Sequence, residues 1–206
     1  GMDQQDQANL RVLTEDVLKT SEIEGATLNP ESVRSSIARR LGVDIGALAP
    51  ADRHVEGVVD MVLDATNNYQ RPLTVQRLFA WHAGMFPTGQ SGLSKIRIGD
   101  WRDDANGPMQ VVSGPMHRPK VHFEAPPAQQ LDAEVSDFLL WFNVDQQVDP
   151  LIKAGLAHLW FVTIHPFDDG NGRIARAVGD MALTRADHSA HRFYSLSSQI
   201  QLERKA

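Results

Sequence analysis

Apolar residues recur at every third or fourth position along most of the chain, which is the period of an α-helix with one buried face. Leu10, Leu13, Val17 and Leu18 form such a stripe over residues 6–22. The same period or a helix start signal marks further segments at residues 30–41, 52–66, 74–85 and 131–143. The pattern therefore predicts a mainly α-helical fold.

Local start signals support several of these helices. Asn29-Pro30-Glu31 combines an N-cap residue, a proline for the first turn and an acid near the positive helix end. Thr74 is predicted to cap the helix that carries Leu78 and Met85. Asp149-Pro150 is another start of the same kind.

The segment from Leu151 to Ile164 is apolar nearly all the way round. A helix without a polar face is buried on all sides, so this one is predicted to be the buried central helix of the fold. Pro166 ends it, and a helical pattern resumes near Arg173. Residues 195–206 indicate the start of an amphipathic helix without a C-cap signal, which leaves room for a native chain that continues beyond residue 206.

Residues 87–127 interrupt the helical pattern with many glycines and prolines. Two short β-like runs, Met109–Val112 and Lys120–Phe123, flank the turn sequence Ser113-Gly114-Pro115. They predict a small hairpin inside a long loop. A long loop in a compact domain is usually functional or disordered, and the aromatic and β-branched residues favour a functional one.

Composition removes several classes of protein. The 206 residues contain no cysteine, which excludes a disulfide scaffold, cysteine-ligated metal and a cysteine nucleophile. The net charge of −6 disfavours a broad nucleic-acid surface. The longest near-apolar stretch, Gly155–Ile164, is too short to span a bilayer, and the polar N-terminus is unlike a signal peptide. We expect a cytoplasmic protein with no membrane partner.

The densest chemistry lies between His165 and Arg176. Gly170-Asn171-Gly172 lets backbone N–H groups face one point, where the next helix begins, and such a point binds anions. Arg173 and Arg176 share one face of that helix and suit a polyphosphate. Asp169 can hold Mg²⁺, and His165 can take a proton near neutral pH. Together these groups predict phosphoryl or nucleotidyl transfer.

This segment resembles the signature of the Fic family, His-x-Phe-x-Asp/Glu-Gly-Asn-Gly-Arg-x-x-Arg. Every fixed position matches: His165, Phe167, Asp169, Gly170, Asn171, Gly172, Arg173 and Arg176. Gln110–Gly114 and Phe123–Pro127 are similar to the family's hairpin flap and the Pro-Pro entry to the next helix. The resemblance covers roughly residues 74–185 and implies a helical bundle with a β-hairpin flap.

The resemblance also implies an activity, the transfer of AMP from ATP to a Ser, Thr or Tyr hydroxyl of a target protein. His165 would deprotonate the hydroxyl, and Asp169 would bind Mg²⁺ on the phosphates. The amides of Gly170–Gly172 would hold the phosphates, while Arg173 and Arg176 would neutralise the β- and γ-phosphates. Phe167 would anchor the loop in the core. Gln110, Val111 and Val112 of the flap would pair with an extended target segment.

A second motif lies near the N-terminus. Residues 20–25, Thr-Ser-Glu-Ile-Glu-Gly, resemble the family's inhibitory helix. By that resemblance Glu24 pairs with Arg176, and Thr20 and Gly25 shape the helix end. The Glu24 carboxylate would take the place of the γ-phosphate charge, so the chain is expected to be autoinhibited.

The sequence leaves several functional alternatives open. The same site could remove AMP, could use another nucleotide or a phosphocholine donor, or could be a catalytically silent nucleotide sensor. Self-modification and homo-oligomerisation also stay open. We expect one compact unit with an N-terminal helical region, residues 1–70, that carries the inhibitory motif. The Fic core would follow at 71–206, with its flap at about 107–124 and its signature loop at 165–176.

Overall fold

The computed structural model describes residues 4–115, 118–144, 148–191 and 193–203. The described residues form eight α-helices: α1 (Gln4–Ile23), α2 (Pro30–Leu41), α3 (Arg53–Asn67), α4 (Val75–Met85), α5 (Leu131–Asn143), α6 (Pro150–Ile164), α7 (Asn171–Asp187) and α8 (Leu196–Glu203). Two antiparallel hairpins lie between α4 and α5, formed by β1 (Gln90–Ser91) with β2 (Ser94–Lys95) and by β3 (Gln110–Ser113) with β4 (Lys120–Glu124). The prediction of a mainly α fold with a small hairpin is confirmed.

The predicted helix starts are observed as capping hydrogen bonds. Asn29 Oδ1 accepts from the Ser32 N–H at 3.0 Å, and Thr74 Oγ1 accepts from the Arg77 N–H at 3.2 Å. Asp149 Oδ1 accepts from the first N–H groups of α6. Each cap satisfies donors that the first helical turn leaves without partners.

The predicted burial of α6 on all sides is wrong. Ala154, Ala157, Phe161 and Ile164 are buried, but the opposite face is open to solvent. Four aliphatic side chains on that face are between 46 % and 69 % exposed: Leu151, Ile152, Leu156 and Leu159. The nearly all-round apolar pattern shows that α6 has few polar side chains, but it does not show how many elements of the fold pack around the helix.

The central helix is α7. Its residues from Arg173 to Thr184 are all buried, and it packs against α1, α3, α4, α6 and α8. It begins at Asn171, two residues before the predicted position. Because polar residues such as Arg173 and Arg176 lie on this helix, its sequence does not have the apolar pattern of a core element. The polar groups are buried together with it and face the site described below.

The flap hairpin is longer than predicted at one strand, because β4 extends to Glu124. Val111 is paired with Phe123 and Val112 with Val121, and a bulge interrupts the register between the two pairs. The hairpin β1–β2 was not predicted, since two-residue strands of polar residues carry no alternating pattern. Residues 204–206 of the predicted terminal helix lie outside the described residues.

Within the described chain, no helix combines the length and the apolar character needed to cross a bilayer.

Candidate active site

His165 follows the last residue of α6 and has an unusual backbone conformation. Its φ of 49° and ψ of 58° lie in the left-handed region, which non-glycine residues rarely occupy. Its N–H donates to the Phe161 carbonyl oxygen at 3.1 Å, and its Nδ1 lies 3.4 Å from the Val162 carbonyl oxygen. Because a carbonyl oxygen can only accept, this contact places the proton of the neutral ring on Nδ1. Nε2 then keeps its lone pair.

Arg102 ties the backbone of His165 to the base of the flap. Its Nε–H donates to the His165 carbonyl oxygen at 2.7 Å, and its Nη2–H donates to the Pro126 carbonyl oxygen at 2.6 Å. Its own backbone N–H donates to the Pro166 carbonyl oxygen at 2.9 Å. Asp104 accepts from Nη1–H and balances the buried guanidinium. Sequence reasoning missed Arg102, because a single loop arginine is not distinguished from a solvated one.

Phe167 and Asn171 close the signature loop from inside. The Phe167 ring is fully buried and stacks on His82, with 4.2 Å between ring centroids and an interplanar angle of 8°. The Asn171 side chain bridges the loop, accepting from the Phe167 N–H at 3.0 Å and donating to the Phe167 carbonyl oxygen at 2.8 Å. The Asn171 side chain therefore shapes the loop, while its backbone N–H belongs to the first turn of α7.

The two neighbouring aspartates of the loop have different partners. Asp169 Oδ2 accepts a hydrogen bond from Ser91 Oγ in β1, and Oδ1 accepts from the Gly170 N–H at 2.5 Å. The Gly170 amide is thus engaged by Asp169 in this structure. Asp168 is exposed and accepts from the Arg97 N–H at 2.8 Å. The sequence predicts an exposed turn residue at Asp168 but gives no sign of these two contacts with the β1–β2 region.

The N-terminus of α7 is built to receive negative charge. Gly170 precedes it in a left-handed conformation, with φ of 83°, and no side chain of the described residues caps the helix. The uncapped amides and the helix dipole favour an anion at this end. A Cβ at Gly172 would lie only 2.2 Å from Glu24 Oε1. The carboxylate of Glu24 therefore lies directly against the first turn of α7.

Arg173 is a buried cation without a close carboxylate. Its side chain is 5 % exposed, and its Nη2 lies 4.0 Å from Asp169 Oδ1, the outer limit of an ion pair. Its guanidinium carbon lies 5.0 Å from the centre of the Phe86 ring, and its Nε has no hydrogen-bond partner among the described residues. Burying a charge with so little compensation is costly, so Arg173 is a candidate residue for binding an anionic ligand.

Arg176 is bound to the end of α1. Its Nη2–H groups donate to Glu24 Oε1 at 2.7 Å and to the Thr20 carbonyl oxygen at 2.9 Å. Its Nε–H donates to Thr20 Oγ1, also at 2.7 Å. Gly25 ends the helix in a left-handed conformation, with φ of 78°, and its N–H donates to the Glu22 carbonyl oxygen. That conformation suits glycine and turns the chain so that Glu24 faces α7.

Burial changes the proton affinity of the site. It lowers the pKa of His165 below its usual value, so the imidazole is neutral at pH 7. Burial also lowers the pKa values of Arg173 and Arg176, and the nearby Glu24 carboxylate opposes this for both. His82, which supports Phe167, has its pKa lowered by burial to about 4. It accepts from the Gly99 N–H through Nδ1 and is neutral.

The described residues include no cluster of three or more His, Cys, Asp or Glu side chains that could hold a metal alone. The donor set nevertheless fits Mg²⁺ bound together with a polyphosphate, since this ion is commonly held by one or two carboxylates plus phosphate oxygens. Asp169 supplies one carboxylate, 39 % exposed, beside the uncapped helix end. It is the residue of the loop that could hold the ion.

The flap lies on the other side of His165. Gln110 and Val111 line a pocket of about 270 Å³ that His165 also lines. Val112, which was grouped with them, is exposed and is not among the residues lining this pocket. Gln110 Nε2 donates to Glu124 Oε2 across the hairpin. Two groups of predicted site residues therefore adjoin the signature loop: Thr20 and Glu24 contact Arg176 at the start of α7, and Gln110 and Val111 line the pocket beside His165.

Comparisons with known proteins show which family the chain resembles. A model of the Fic/DOC family matches residues 72–183, more than half of the chain, and a model described as a domain of unknown function (DUF4172) matches residues 1–43. The protein adenylyltransferase Fic of Aedes aegypti is 26 % identical over 182 residues, covering 81 % of this chain and 31 % of that protein. A uridine 5'-monophosphate transferase of Xanthomonas campestris pv. campestris is 29 % identical over 124 residues, covering 55 % of this chain and 21 % of that protein.

The fold has relatives of known structure as well. A Fic domain containing signalling protein from Bacteroides thetaiotaomicron superposes with a TM-score of 0.65 at 22 % identity, over 87 % of this chain and 65 % of that one. The chain spans less than a third of the length of the two curated relatives named above. The family match over residues 72–183 and the shared helical fold establish that this chain belongs to the Fic/DOC family.

Proposed function

We propose that the chain is a protein adenylyltransferase, which transfers AMP from ATP to the hydroxyl of a Ser, Thr or Tyr side chain and is held inactive by Glu24. The observation that carries the proposal is that three features lie along the signature loop and the first turns of α7. These are a neutral histidine with a free Nε2, an uncapped helix end with two buried arginines, and the chain's own carboxylate on one of them. The name of the Aedes relative supports AMP as the transferred group.

His165 acts as the general base. Its pKa is lowered and its Nδ1–H faces the Val162 carbonyl oxygen, so Nε2 accepts the proton of the target hydroxyl at neutral pH. The hydroxyl oxygen forms a bond to the α-phosphorus, and the bond from that phosphorus to the oxygen bridging the α- and β-phosphates breaks. Pyrophosphate leaves and the AMP ester remains on the target. Arg102 fixes the backbone of His165 during this exchange.

The N-terminus of α7 binds the phosphates of the donor. Its uncapped amides and the guanidinium groups of Arg173 and Arg176 neutralise the β- and γ-phosphates. A magnesium ion held by Asp169, when bound, supplies further neutralisation of the phosphate charge. The buried Nε of Arg173 and the open side of Asp169 are the groups that gain partners from such a donor.

Glu24 inhibits by occupying the phosphate position. Its Oε1 lies 2.7 Å from Arg176 Nη2 and against Gly172, which is where a terminal phosphate would contact both the arginine and the helix end. A donor that enters this cleft must give up either its contact with Arg176 or its alignment for in-line attack. Movement of Glu24 away from Arg176 therefore activates the enzyme.

A second nucleotide is a candidate donor. The residues assigned to the phosphates do not distinguish one nucleotide base from another. The Xanthomonas relative is named for UMP transfer. UMP is accordingly the second candidate for the transferred group.

A donor screen tests the function. The Glu24→Gly variant is incubated with Mg²⁺ and, in separate reactions, ATP, UTP, GTP, CTP or CDP-choline, and the intact protein and degenerate peptides are weighed by mass spectrometry. We expect the mass of AMP with ATP and no label when His165→Ala is added. If only UTP labels the protein or the peptides, the assigned donor changes from ATP to UTP and the mechanism is unchanged. If no donor forms an adduct, the result contradicts the proposed transferase function.

A further inference from the structure

The acceptor side of the cleft contains an apolar pocket of defined size. It lies between the flap and the end of α6 and measures about 270 Å³. Val111, Phe123 and Ala125 line it from the flap, and Val162 and His165 line it from α6. Its wall is largely hydrocarbon, while the imidazole of His165 provides a polar group at its edge.

The volume suits a ring. An apolar cavity of about 150 Å³ holds a benzene molecule, so 270 Å³ accommodates a phenol with space for its attachment to a main chain. A serine or threonine side chain would fill only a small part of this space.

Polarity separates the acceptors more sharply than size. A serine or threonine hydroxyl lies one carbon from Cα, so bringing it to His165 draws the adjoining amide groups of the target into an apolar pocket. Unpaired amides there are costly. A tyrosine hydroxyl lies at the far end of a ring, so the ring crosses the pocket and the main chain stays outside. The outer edge of β3 can then pair with that main chain.

The flap also presents apolar surface that such a ring would cover. Val111 and Phe123 form a cross-strand pair and are 50 % and 38 % exposed. A bulge between Val111 and Val112 interrupts the pairing beside the pocket, and bulges next to active sites commonly redirect a side chain. Covering both side chains with an aromatic ring removes apolar surface from water.

From this pocket we infer that the hydroxyl acceptor is a tyrosine in an extended segment of the target protein; the inference rests on the adenylyltransferase function proposed above. The phenol oxygen forms the bond to the α-phosphorus, its proton passes to Nε2 of His165, and pyrophosphate leaves. The product is an AMP ester of the phenol.

The first test compares acceptors in one reaction format. The Glu24→Gly protein, Mg²⁺ and α-labelled ATP are mixed with three degenerate peptide libraries that differ only in a central Tyr, Ser or Thr. We expect the tyrosine library to be labelled at least about tenfold faster than the other two, a factor that corresponds to about 1.4 kcal/mol. Equal or faster labelling of the serine or threonine library overturns the tyrosine assignment and leaves the transferase function intact.

A variant pair tests the pocket itself. Val111→Ala removes part of the wall and is expected to lower kcat/KM for the tyrosine library roughly tenfold. Val121→Ala is the matched control, since Val121 lies in the same hairpin, is 47 % exposed and does not line the pocket. The ratio of tyrosine to serine labelling should fall for the first variant and stay constant for the second. A ratio that responds equally to both variants counts against the pocket.

A binding measurement separates this inference from the transferase function. Isotope-labelled wild-type protein is titrated with N-acetyltyrosinamide and with N-acetylserinamide, and the amide signals of Val111, Ala125 and Val162 are followed by NMR. The tyrosine compound alone should shift them. Shifts with both compounds or with neither overturn the inference, whether or not AMP transfer occurs. If the tyrosine compound binds and no library is labelled, the result supports tyrosine binding in the pocket and contradicts the proposed transferase function.

Discussion

Arg176 and His165 lie at opposite ends of the signature loop, and their surroundings differ. Arg176 is buried, and Thr20 and Glu24 accept three hydrogen bonds from it, of which the one to Glu24 is also an ion pair. His165 is half-buried and borders an apolar pocket, in which the flap side chains Val111 and Phe123 are exposed. The donor side is thus filled by the chain itself, while the acceptor side is open. Under the function proposed above, this difference would place regulation at nucleotide binding and target choice at the flap.

Removing the imidazole of His165 should lower the rate of AMP transfer and leave ATP binding unchanged. His165→Ala in the Glu24→Gly background is expected to lower transfer by roughly 10²–10⁴-fold, the usual contribution of a general base. ATP affinity measured by calorimetry should stay unchanged, because the phosphates contact α7. Loss of ATP binding together with activity would show that the two sides are not separable.

Removing the negative charge of Asp169 should weaken Mg²⁺ binding. Asp169→Asn is expected to raise the Mg²⁺ concentration at half-maximal activity by about tenfold, because a hard cation loses its anionic ligand. Asp168→Asn is the matched control, as Asp168 is exposed and bonds to the Arg97 N–H. An identical Mg²⁺ response in the two variants would remove Asp169 from the metal site.

The stability of the loop should depend on pH through His82. The folded pKa is about 4, below the ordinary value of about 6.5, so the unfolded chain binds a proton that the folded chain does not. The contribution of His82 is therefore present above pH 6.5 and is lost as the pH falls to 4, by roughly 3 kcal/mol. The free energy of unfolding is measured by denaturant titration at several pH values for wild type and for His82→Gln. It should fall more steeply between pH 6.5 and pH 4 for the wild type. Parallel pH profiles would contradict it.

The pH profile of transfer should report His165. Because burial lowers its pKa, the acid limb of kcat/KM is expected to have its midpoint below about 6.5. Activity falls as the pH drops through that midpoint, since the protonated ring cannot accept the hydroxyl proton. A midpoint above 6.5 would argue for a base other than His165.

The sequence predicts the parts of the site that are contiguous. The signature loop carries its chemistry within a few residues, so its residue types predict the base His165 and the anion cradle, while Glu24 is predicted by the resemblance of residues 20–25 to the family's inhibitory helix. Arg102 and Ser91 were missed because they come from the irregular region before the flap. Arg102 binds main-chain carbonyl groups, which leave no trace in the pattern of side chains.

Burial was predicted least well where polar residues are central. The apolar α6 has one exposed face, whereas the polar-containing α7 is buried from Arg173 to Thr184. The hydrophobic pattern shows how much apolar surface each helix would expose to water if it were not covered. The pattern does not reveal that Arg173 and Arg176 are buried. They are buried because they lie on the central helix α7, close to Asp169 and Glu24.

The most direct test of the account is the rate of transfer from α-labelled ATP with and without the Glu24 carboxylate. Glu24→Gly should raise self-labelling or peptide labelling at least about tenfold, because it frees Arg176 for the donor phosphates. Glu22→Ala is the control, since the Glu22 side chain contacts Lys19 and Gln201 and not Arg176, and alanine preserves the last turn of α1. It should label at the wild-type rate. Equal rates for wild type and Glu24→Gly, or equal activation by both variants, would contradict inhibition by Glu24 on the donor side.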